Sequence, residues 1–317
     1  MGMANSLDIE ELTATYKLLG DETRLRLLAL LRGNELAVGE IQKILGMGQS
    51  TLSSQLAQLK EQGILASRKE GQKVFYRIQP DANSPKVKLA NAAVDQAVSA
   101  RWLARDKRHL EKILSEREEA SRAFFNRQAV QNMPSPGQTW QALALGLLHL
   151  SAGAGKRVVD LGCGSGRLSR LFAEAAHHVT GLDNSEEQIK LAKKSATEIQ
   201  SGSVEFRIGS MEATGLPDAA FDIALLSQSL HHAANPRDVL REANRLCVPG
   251  GRILILDLLA HEEDWLRKKF SDFWLGFSES DLTGWLAEAG FRVIRFEITE
   301  PSPEYPDLEG VLAVGEK

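Results

Sequence analysis

This 317-residue sequence predicts two unlike domains joined by a helical segment, an α+β unit first and an α/β domain last. Three observations predict that arrangement. Over residues 7–80, short amphipathic helices lead into a small hairpin, and the pattern stops at Gln79, Pro80 and Asp81. Within residues 85–131, Pro85 opens a stretch from Lys86 to Phe124 that contains neither proline nor glycine. In the last part, residues 132–317, the apolar runs RVVDLG, HHVTGLD, SVEFRIG, FDIALLS, GRILILDL, FRVIRFEI and VLAVG alternate with helical patterns. Such alternation predicts a Rossmann-like parallel sheet of seven strands with helices on both faces.

Bulk properties narrow the function classes. An apolar content of 43% is enough for real cores. The net charge of −4 excludes a chain that coats nucleic acid or membrane by charge alone, so any such contact must be local. Cys163 and Cys247 are the only cysteines, and neither has a CxxC or histidine-rich neighbourhood. No disulfide framework and no metal are therefore expected. The start MGMANSLDIEEL lacks a signal pattern, and the apolar runs are too short for a membrane span, which predicts a soluble, cytoplasmic protein.

In VGEIQKILGMGQSTLSSQLAQLKEQGIL, two short helices meet at Gly46-Met47-Gly48. On the second helix Leu52, Leu56 and Leu59 share an inward face, leaving Gln49, Ser50, Thr51, Ser53, Ser54, Gln55 and Gln58 toward the outside. Amide and hydroxyl side chains on such a helix reach base edges and phosphates in a major groove. The hairpin ILASRKEGQKVFYRI follows and adds Arg68, Lys69, Lys73 and Tyr76 as candidate DNA contacts. From Glu40 to Gln79 six basic residues stand against three acidic ones, so local charge favours phosphate.

These residues, with LLGDETRLRLLALL at 18–31, resemble the ArsR (arsenic repressor) family of winged-helix regulators. The resemblance implies an α+β winged helix-turn-helix that binds double-stranded operator DNA. Two departures qualify it. Where metal-sensing members carry cysteines, this chain reads ELAVGEI, with Ala37 and Gly39, so no soft-metal site is expected there. Many members have Arg and His where this chain has Ser54 and Gln55, so the operator sequence does not carry over.

In the helical segment Val87, Ala90, Val94, Ala97, Val98, Trp102, Leu110, Ile113 and Leu114 recur at helical spacing. Two readings stand: a solvated connector, or a dimer helix whose stripe meets its twin in a homodimer. The break QNMPSPGQ at 131–138 is expected to separate it from the last domain.

After the strand RVVD, the loop Gly162-Cys163-Gly164-Ser165-Gly166 lets backbone approach a ligand closely, and the helix it opens offers free N–H groups. Its GxGxG spacing differs from the dinucleotide GxGxxG. Asp183 closes the next strand, where a carboxylate can accept from a ribose diol. DLGCGSG, GLDNS, GSMEATGLPDAAFDIALLSQSLHH and RLCVPGGRILILDL together resemble the class I S-adenosylmethionine-dependent methyltransferases. The resemblance implies S-adenosylmethionine or S-adenosylhomocysteine as cofactor. Asp160, Gly162, Cys163, Gly164 and Gly166 would lie near its methionine moiety, Asp183 and Asn184 near the ribose, and Ser210 and Met211 beside the adenine. Ser227 and Gln228 would stand at the end of the fourth strand. Ser210 replaces the Asp that the family often has there. Phe124 or Phe125 in RAFFNRQA is either a lid over the cofactor or a core aromatic.

Methyl transfer can proceed by positioning alone. His231 and His232 follow the fourth strand, and either one acts as a catalytic base or both fill cap and core positions. The DPPY-like tetrad of amino DNA methylases, the Pro-Cys nucleophile of cytosine methylases and the thiol cluster of arsenite methylases are all missing. Trp265, Phe270, Phe273, Trp274 and Phe277 either wall a substrate pocket or pack a helix onto the sheet. The combination resembles ArsR-type regulators fused to a methyltransferase-like domain, some of which respond to S-adenosylhomocysteine. It implies a dimeric repressor that senses the adenosyl cofactor or its product; the alternative is an active small-molecule methyltransferase that regulates its own operon.

Overall fold

The computed structural model describes residues 7–70, 73–79, 84–97, 101–131, 155–175, 177–196, 202–263, 265–299, 301 and 308–317. The wing tip at 71–72, the boundary at Pro80 and Asp81, Val98 of the helical stripe and the break at 132–138 lie outside them. Two compact units, 1–116 and 117–317, divide the chain.

The first unit is built from capped helices and a small sheet. Asp8 and Asp21 accept from backbone N–H groups in the first turns of α1 (Ile9–Leu19) and α2 (Glu22–Leu31), satisfying donors that a helix start leaves open. Strand β1 (Leu36–Ala37) runs into α3 (Val38–Leu45), which stops at Gly46 with φ +67°. Only glycine adopts that angle without cost, so the turn into α4 (Gln49–Glu61) is set by sequence. Strands β2 (Leu65–Glu70) and β3 (Lys73–Ile78) complete an antiparallel sheet in the order β1-β3-β2. Leu52, Leu56 and Leu59 of α4 are fully buried against Leu27, Leu28, Ile41 and Ile44. Each such leucine contributes about 1.5–3 kcal/mol by leaving water.

The helical segment is two helices, α5 (Pro85–Gln96) and α6 (Arg101–Gln131), with 98–100 outside the described residues. Ala90, Val94 and Ile113 are buried in the first unit's own core and Val87 is also buried, so this part of the apolar stripe is satisfied within the chain. Arg26 of α2 clamps Asp106 of α6 through two hydrogen bonds of 2.7 and 2.8 Å, with Asp106 only 1% exposed. His109 Nδ1 lies 2.9 Å from the Ile44 carbonyl. The unit boundary falls inside α6, whose residues from 117 onward belong to the second unit.

The second unit contains β4 (Arg157–Leu161), α7 (Arg167–Glu174), β5 (His178–Asp183), α8 (Glu186–Ser195), β6 (Ser203–Ile208) and β7 (Phe221–Ser227). A 3-10 turn (Leu230–His232), α9 (Pro236–Leu246), β8 (Cys247–Leu258), α10 (Trp265–Phe270), α11 (Glu279–Glu288), β9 (Arg292–Thr299) and β10 (Gly310–Glu316) follow. All seven expected strands form one sheet in the order β6-β5-β4-β7-β8-β10-β9. The sheet is not wholly parallel, as the alternation predicted: β10 runs antiparallel to both β8 and β9. The connection at 300–309 is shorter than the dozen or more residues a parallel crossover takes, which accounts for the reversal. Val158, Phe172 and Leu254 pack on one face of the sheet, and Val159, Leu226, Ile253 and Ile255 on the other.

The tail aromatics divide. Trp274, Phe277 and Trp285 stack edge to face in the core, and Trp274 Nε1 donates to the Ala233 carbonyl at 3.0 Å. Trp265 is 38% exposed and Phe270 joins a small satellite cluster. No helix among the described residues is long and apolar enough to cross a membrane.

Candidate functional site

Strand order reverses between β4 and β7: the chain moves from β4 to β5 and β6 on one side, then crosses to β7 on the other. In open α/β sheets the crevice beyond the carboxyl ends of the strands at such a switch point receives ligands. A cavity of about 290 Å³ lies there. Asp160, Gly162, Cys163 and Gly164 line it from the loop after β4, Asp183 and Asn184 from the end of β5, and Ser227, Gln228 and His232 from the end of β7 and the turn beyond. Met211 adds an apolar wall. Ser121, Phe125, Gln128 and Ala129 of α6 close another side.

The loop is shaped by backbone constraints. Gly162 and Cys163 donate to the Leu182 carbonyl at 2.8 and 3.0 Å, tying the turn to β5. Gly162 has φ +76°, and a Cβ there would lie 2.5 Å from Ser229 Cβ. A Cβ at Gly164 would meet nothing within 4 Å, so the space above this residue is open. Gly166 caps α7 and does not line the cavity; its missing Cβ makes room for the Phe206 ring.

Asp183 accepts from Gly164 N at one carboxylate oxygen and from Ser185 N at the other, both at 2.8 Å. Each oxygen keeps a lone pair, which is what a vicinal diol requires. Burial raises the Asp183 pKa, and burial with the neighbouring Asp183 charge pushes Asp160 up to about 6 despite the hydrogen bond from Ser169. Burial also drives the Cys163 thiol well above its ordinary range, which disfavours the thiolate. Gln228 holds φ +53°, unusual for a residue with a side chain, and its buried Nε2 has no hydrogen-bond partner among the described residues. A glycine cradle, a carboxylate with spare lone pairs and an orphaned donor fit the adenosyl amino acid that the sequence implies. Ser210 stands apart: its hydroxyl donates to Glu212 Oε2 at 2.7 Å, and Met211, not Ser210, reaches the cavity.

The two histidines differ. His231 is buried, with Nδ1 2.6 Å from Asp257 Oδ1. Burial lowers its pKa, but Asp257 and Asp272 outweigh that and push it up to about 9. His232 lines the cavity edge-on to Phe125 at 4.7 Å, and burial followed by the His231 charge holds it well below its ordinary value. Asp257 and Asp272 were not singled out in the sequence. The first ends the apolar run ILILD, a visible signal; the second has none. Phe125 contributes to the cavity wall, whereas Phe124 stacks on it at 5.2 Å.

In the first unit Gln49, Ser50, Thr51, Ser53, Ser54 and Gln58 are exposed on α4, as are Lys69 and Lys73 on the hairpin. Gln55 and Gln58 both accept from Arg24 Nη1, at 2.9 and 3.1 Å, which fixes their amide orientation. Arg68 is held by buried Glu35 through hydrogen bonds of 2.6–3.0 Å and lies over the Phe75 ring, and Tyr76 packs against the core. These two side chains belong in part to the structure of the wing.

The comparisons with known proteins separate along the same line. A family model described as "Methyltransferase domain" matches residues 159–255, and one described as "Bacterial regulatory protein, arsR family" matches 21–67. The O-methyltransferase rstn1 of Aspergillus nomiae is 32% identical over 156 residues, 47% of this chain and 69% of that protein. A ubiquinone biosynthesis O-methyltransferase of Idiomarina loihiensis is 31% identical over 120 residues, 37% of this chain and 49% of that one, so the chain spans about half the length of this relative. A solved complex of the Haloferax volcanii Trm112 methyltransferase activator with a candidate methyltransferase matches with a TM-score of 0.51 and 20% identity, covering 61% of this chain and 96% of that one. That likeness establishes the fold alone. The chain belongs to the methyltransferase-domain family and carries ahead of that domain a helix-turn-helix of the bacterial regulatory arsR family.

Proposed function

We propose that this protein is a homodimeric transcriptional regulator that binds operator DNA and senses S-adenosylmethionine or S-adenosylhomocysteine in its second unit. The observation that carries this reading is the division of labour along α6. Asp106, His109 and Ile113 are fixed in the helix-turn-helix unit, while Ser121, Phe125 and Gln128 of the same helix line the cavity. A ligand whose affinity differs between two arrangements of this shared helix would couple the cavity to the DNA-reading unit.

In this reading Asp183 takes the ribose hydroxyls, the backbone of Gly162 to Gly164 approaches the methionine moiety, Met211 flanks the adenine and Gln228 Nε2 donates to a ligand acceptor. Bound adenosylmethionine supplies an electrophilic methyl on a sulfonium cation, which adenosylhomocysteine lacks. Asp160 and Asp183 distinguish the two by charge. A second reading, a working small-molecule methyltransferase with an autoregulatory head, is favoured by the O-methyltransferase relatives.

Fluorescence anisotropy on the protein's own promoter DNA at fixed salt, without ligand and with each adenosyl compound, tests the proposal. A tenfold or larger difference between the two ligands, about 1.4 kcal/mol of coupling, is expected. Specific DNA binding indifferent to both would overturn the sensor and favour the enzyme.

A further inference from the structure

Beside the cavity three side chains converge whose spacing the adenosyl reading does not use. His231 Nε2 lies 3.7 Å from Asp272 Oδ1, and His232 Nδ1 lies 3.6 Å from the same oxygen. Both separations exceed a hydrogen bond. Two ligand atoms held about 2.0–2.2 Å from one tetrahedral ion stand roughly 3.3–3.5 Å apart, close to what is observed. All three donor atoms fall within 4.8 Å of one another.

The remaining atoms of both rings are already committed. His231 Nδ1 is paired with Asp257 Oδ1 at 2.6 Å, and Asp257 is itself fixed by the backbone N–H groups of Leu230 and Leu258. The His232 ring hydrogen-bonds the backbone of Ser271, a residue at φ +63°, and its buried Nδ1 has no hydrogen-bond partner among the described residues. Each imidazole thus has one nitrogen held by an oxygen and the other turned toward Asp272. Histidines that bind metals are arranged this way, with an outer carboxylate or carbonyl fixing the tautomer. Left-handed Ser271 directly precedes the carboxylate, a strain of the kind that collects at functional sites.

We infer that His231 Nε2, His232 Nδ1 and Asp272 Oδ1 bind a first-row divalent transition ion, with Asp257 as the outer partner of His231. Two imidazoles and one carboxylate suit zinc or iron(II) and disfavour calcium or magnesium, which take oxygen-rich shells. His232 also lines the cavity, so the ion stands at its wall, where a remaining coordination position can take the oxygen of a hydroxyl-bearing acceptor. The inference does not depend on which adenosyl compound the cavity takes.

The test uses the full chain without an affinity tag, stripped by a chelator and titrated with cobalt(II). Visible ligand-field bands saturating at one ion per chain are expected, displaced by zinc. Asp272→Asn should abolish them, and Asp257→Asn should weaken binding by about 10- to 100-fold. Zinc should raise the wild-type melting temperature and leave that of Asp272→Asn unchanged, a comparison that holds even if the variant starts from lower stability. A wild-type chain that shows no bands and no zinc-dependent melting shift overturns the inference, and so does an Asp272→Asn chain that folds and binds equally well. Adenosylhomocysteine binding by calorimetry on the stripped chain reads the cavity separately, so failure of the metal site and failure of the sensor reading are told apart.

Discussion

The helix-turn-helix unit and the methyltransferase unit use polar side chains in opposite ways. On α4 the amides and hydroxyls stand in solvent while leucines fill the core beneath. In the second unit Asp160, Asp183, Gln228 and His232 are drawn inward around a cavity, and burial displaces the protonation of the carboxylates and the histidine. A surface that reads a groove needs donors and acceptors ready to exchange water for bases. A pocket that distinguishes a sulfonium from a thioether needs charge in a place with little water to screen it. The consequence is that the first unit can lose a contact residue at little cost in stability, whereas the second holds its binding groups in a destabilised state.

The sharpest way to break the contrast is Gly162→Ala. The added Cβ would stand 2.5 Å from Ser229 Cβ at a φ of +76°, so the loop must move. Adenosylhomocysteine affinity is expected to fall about a thousandfold, ~4 kcal/mol, in titration calorimetry. The DNA affinity of the ligand-free chain should stay within about twofold. Parallel loss of both would show that the two units do not divide the work.

Asp160→Asn tests the destabilised state directly. The folded pKa of about 6 lies above the ordinary 3.8, so the native state holds its proton more tightly than the unfolded chain. Stability is therefore lost as pH rises from about 4 to 6, and at pH 7 the ionised group costs on the order of 3 kcal/mol. The variant should be more stable than wild type at pH 7 in urea unfolding, with the gap closing toward pH 4. It should also bind adenosylmethionine more weakly. In the wild type, adenosylmethionine affinity should drop below pH 6 more steeply than that of adenosylhomocysteine, because protonation removes a charge that only the cation uses. A variant no more stable than wild type at pH 7 would show Asp160 to be compensated.

On the reading helix, Gln49→Ala should reduce operator affinity by about 1–2 kcal/mol and relax base preference at one position, with ligand affinity unchanged. Uniform loss across DNA sequences would instead make Gln49 a backbone contact.

Much of this architecture was legible because it is local. The seven strands, the Gly46 turn and the Gly162 loop each announce themselves within a few residues, through short apolar runs or a required backbone angle. What was not legible comes from pairing across distance. Glu35 and Arg68, or Arg26 and Asp106, meet through folding, and nothing in either segment names its partner. The same holds for His231, Asp257 and Asp272, drawn from a turn, a strand end and a loop. The antiparallel course of β10 depends on connection length, which apolar alternation does not record. That α6 belongs to both units is not marked in its sequence, because the boundary at 116–117 falls inside a stretch free of proline and glycine.

The smallest expected effect separates two neighbours on the wing. Arg68 and Lys69 look alike in sequence as basic hairpin residues. Arg68, however, is 31% exposed and bonded to a Glu35 that is 5% exposed, while Lys69 lies in solvent. Arg68→Gln deprives a buried carboxylate of the guanidinium that bonds it and should lower the stability of the first unit by about 1 kcal/mol, after discounting for the solvent at the arginine. Lys69→Gln should leave the unfolding midpoint in place, weaken binding to all DNA sequences alike by less than about 1 kcal/mol, and lower the dependence of log affinity on log salt by about 0.9. An Arg68 variant that changes the salt slope but not the melting temperature would reverse the assignment. The wing arginine would then be a phosphate contact, and its pairing with Glu35 a resting position that DNA displaces.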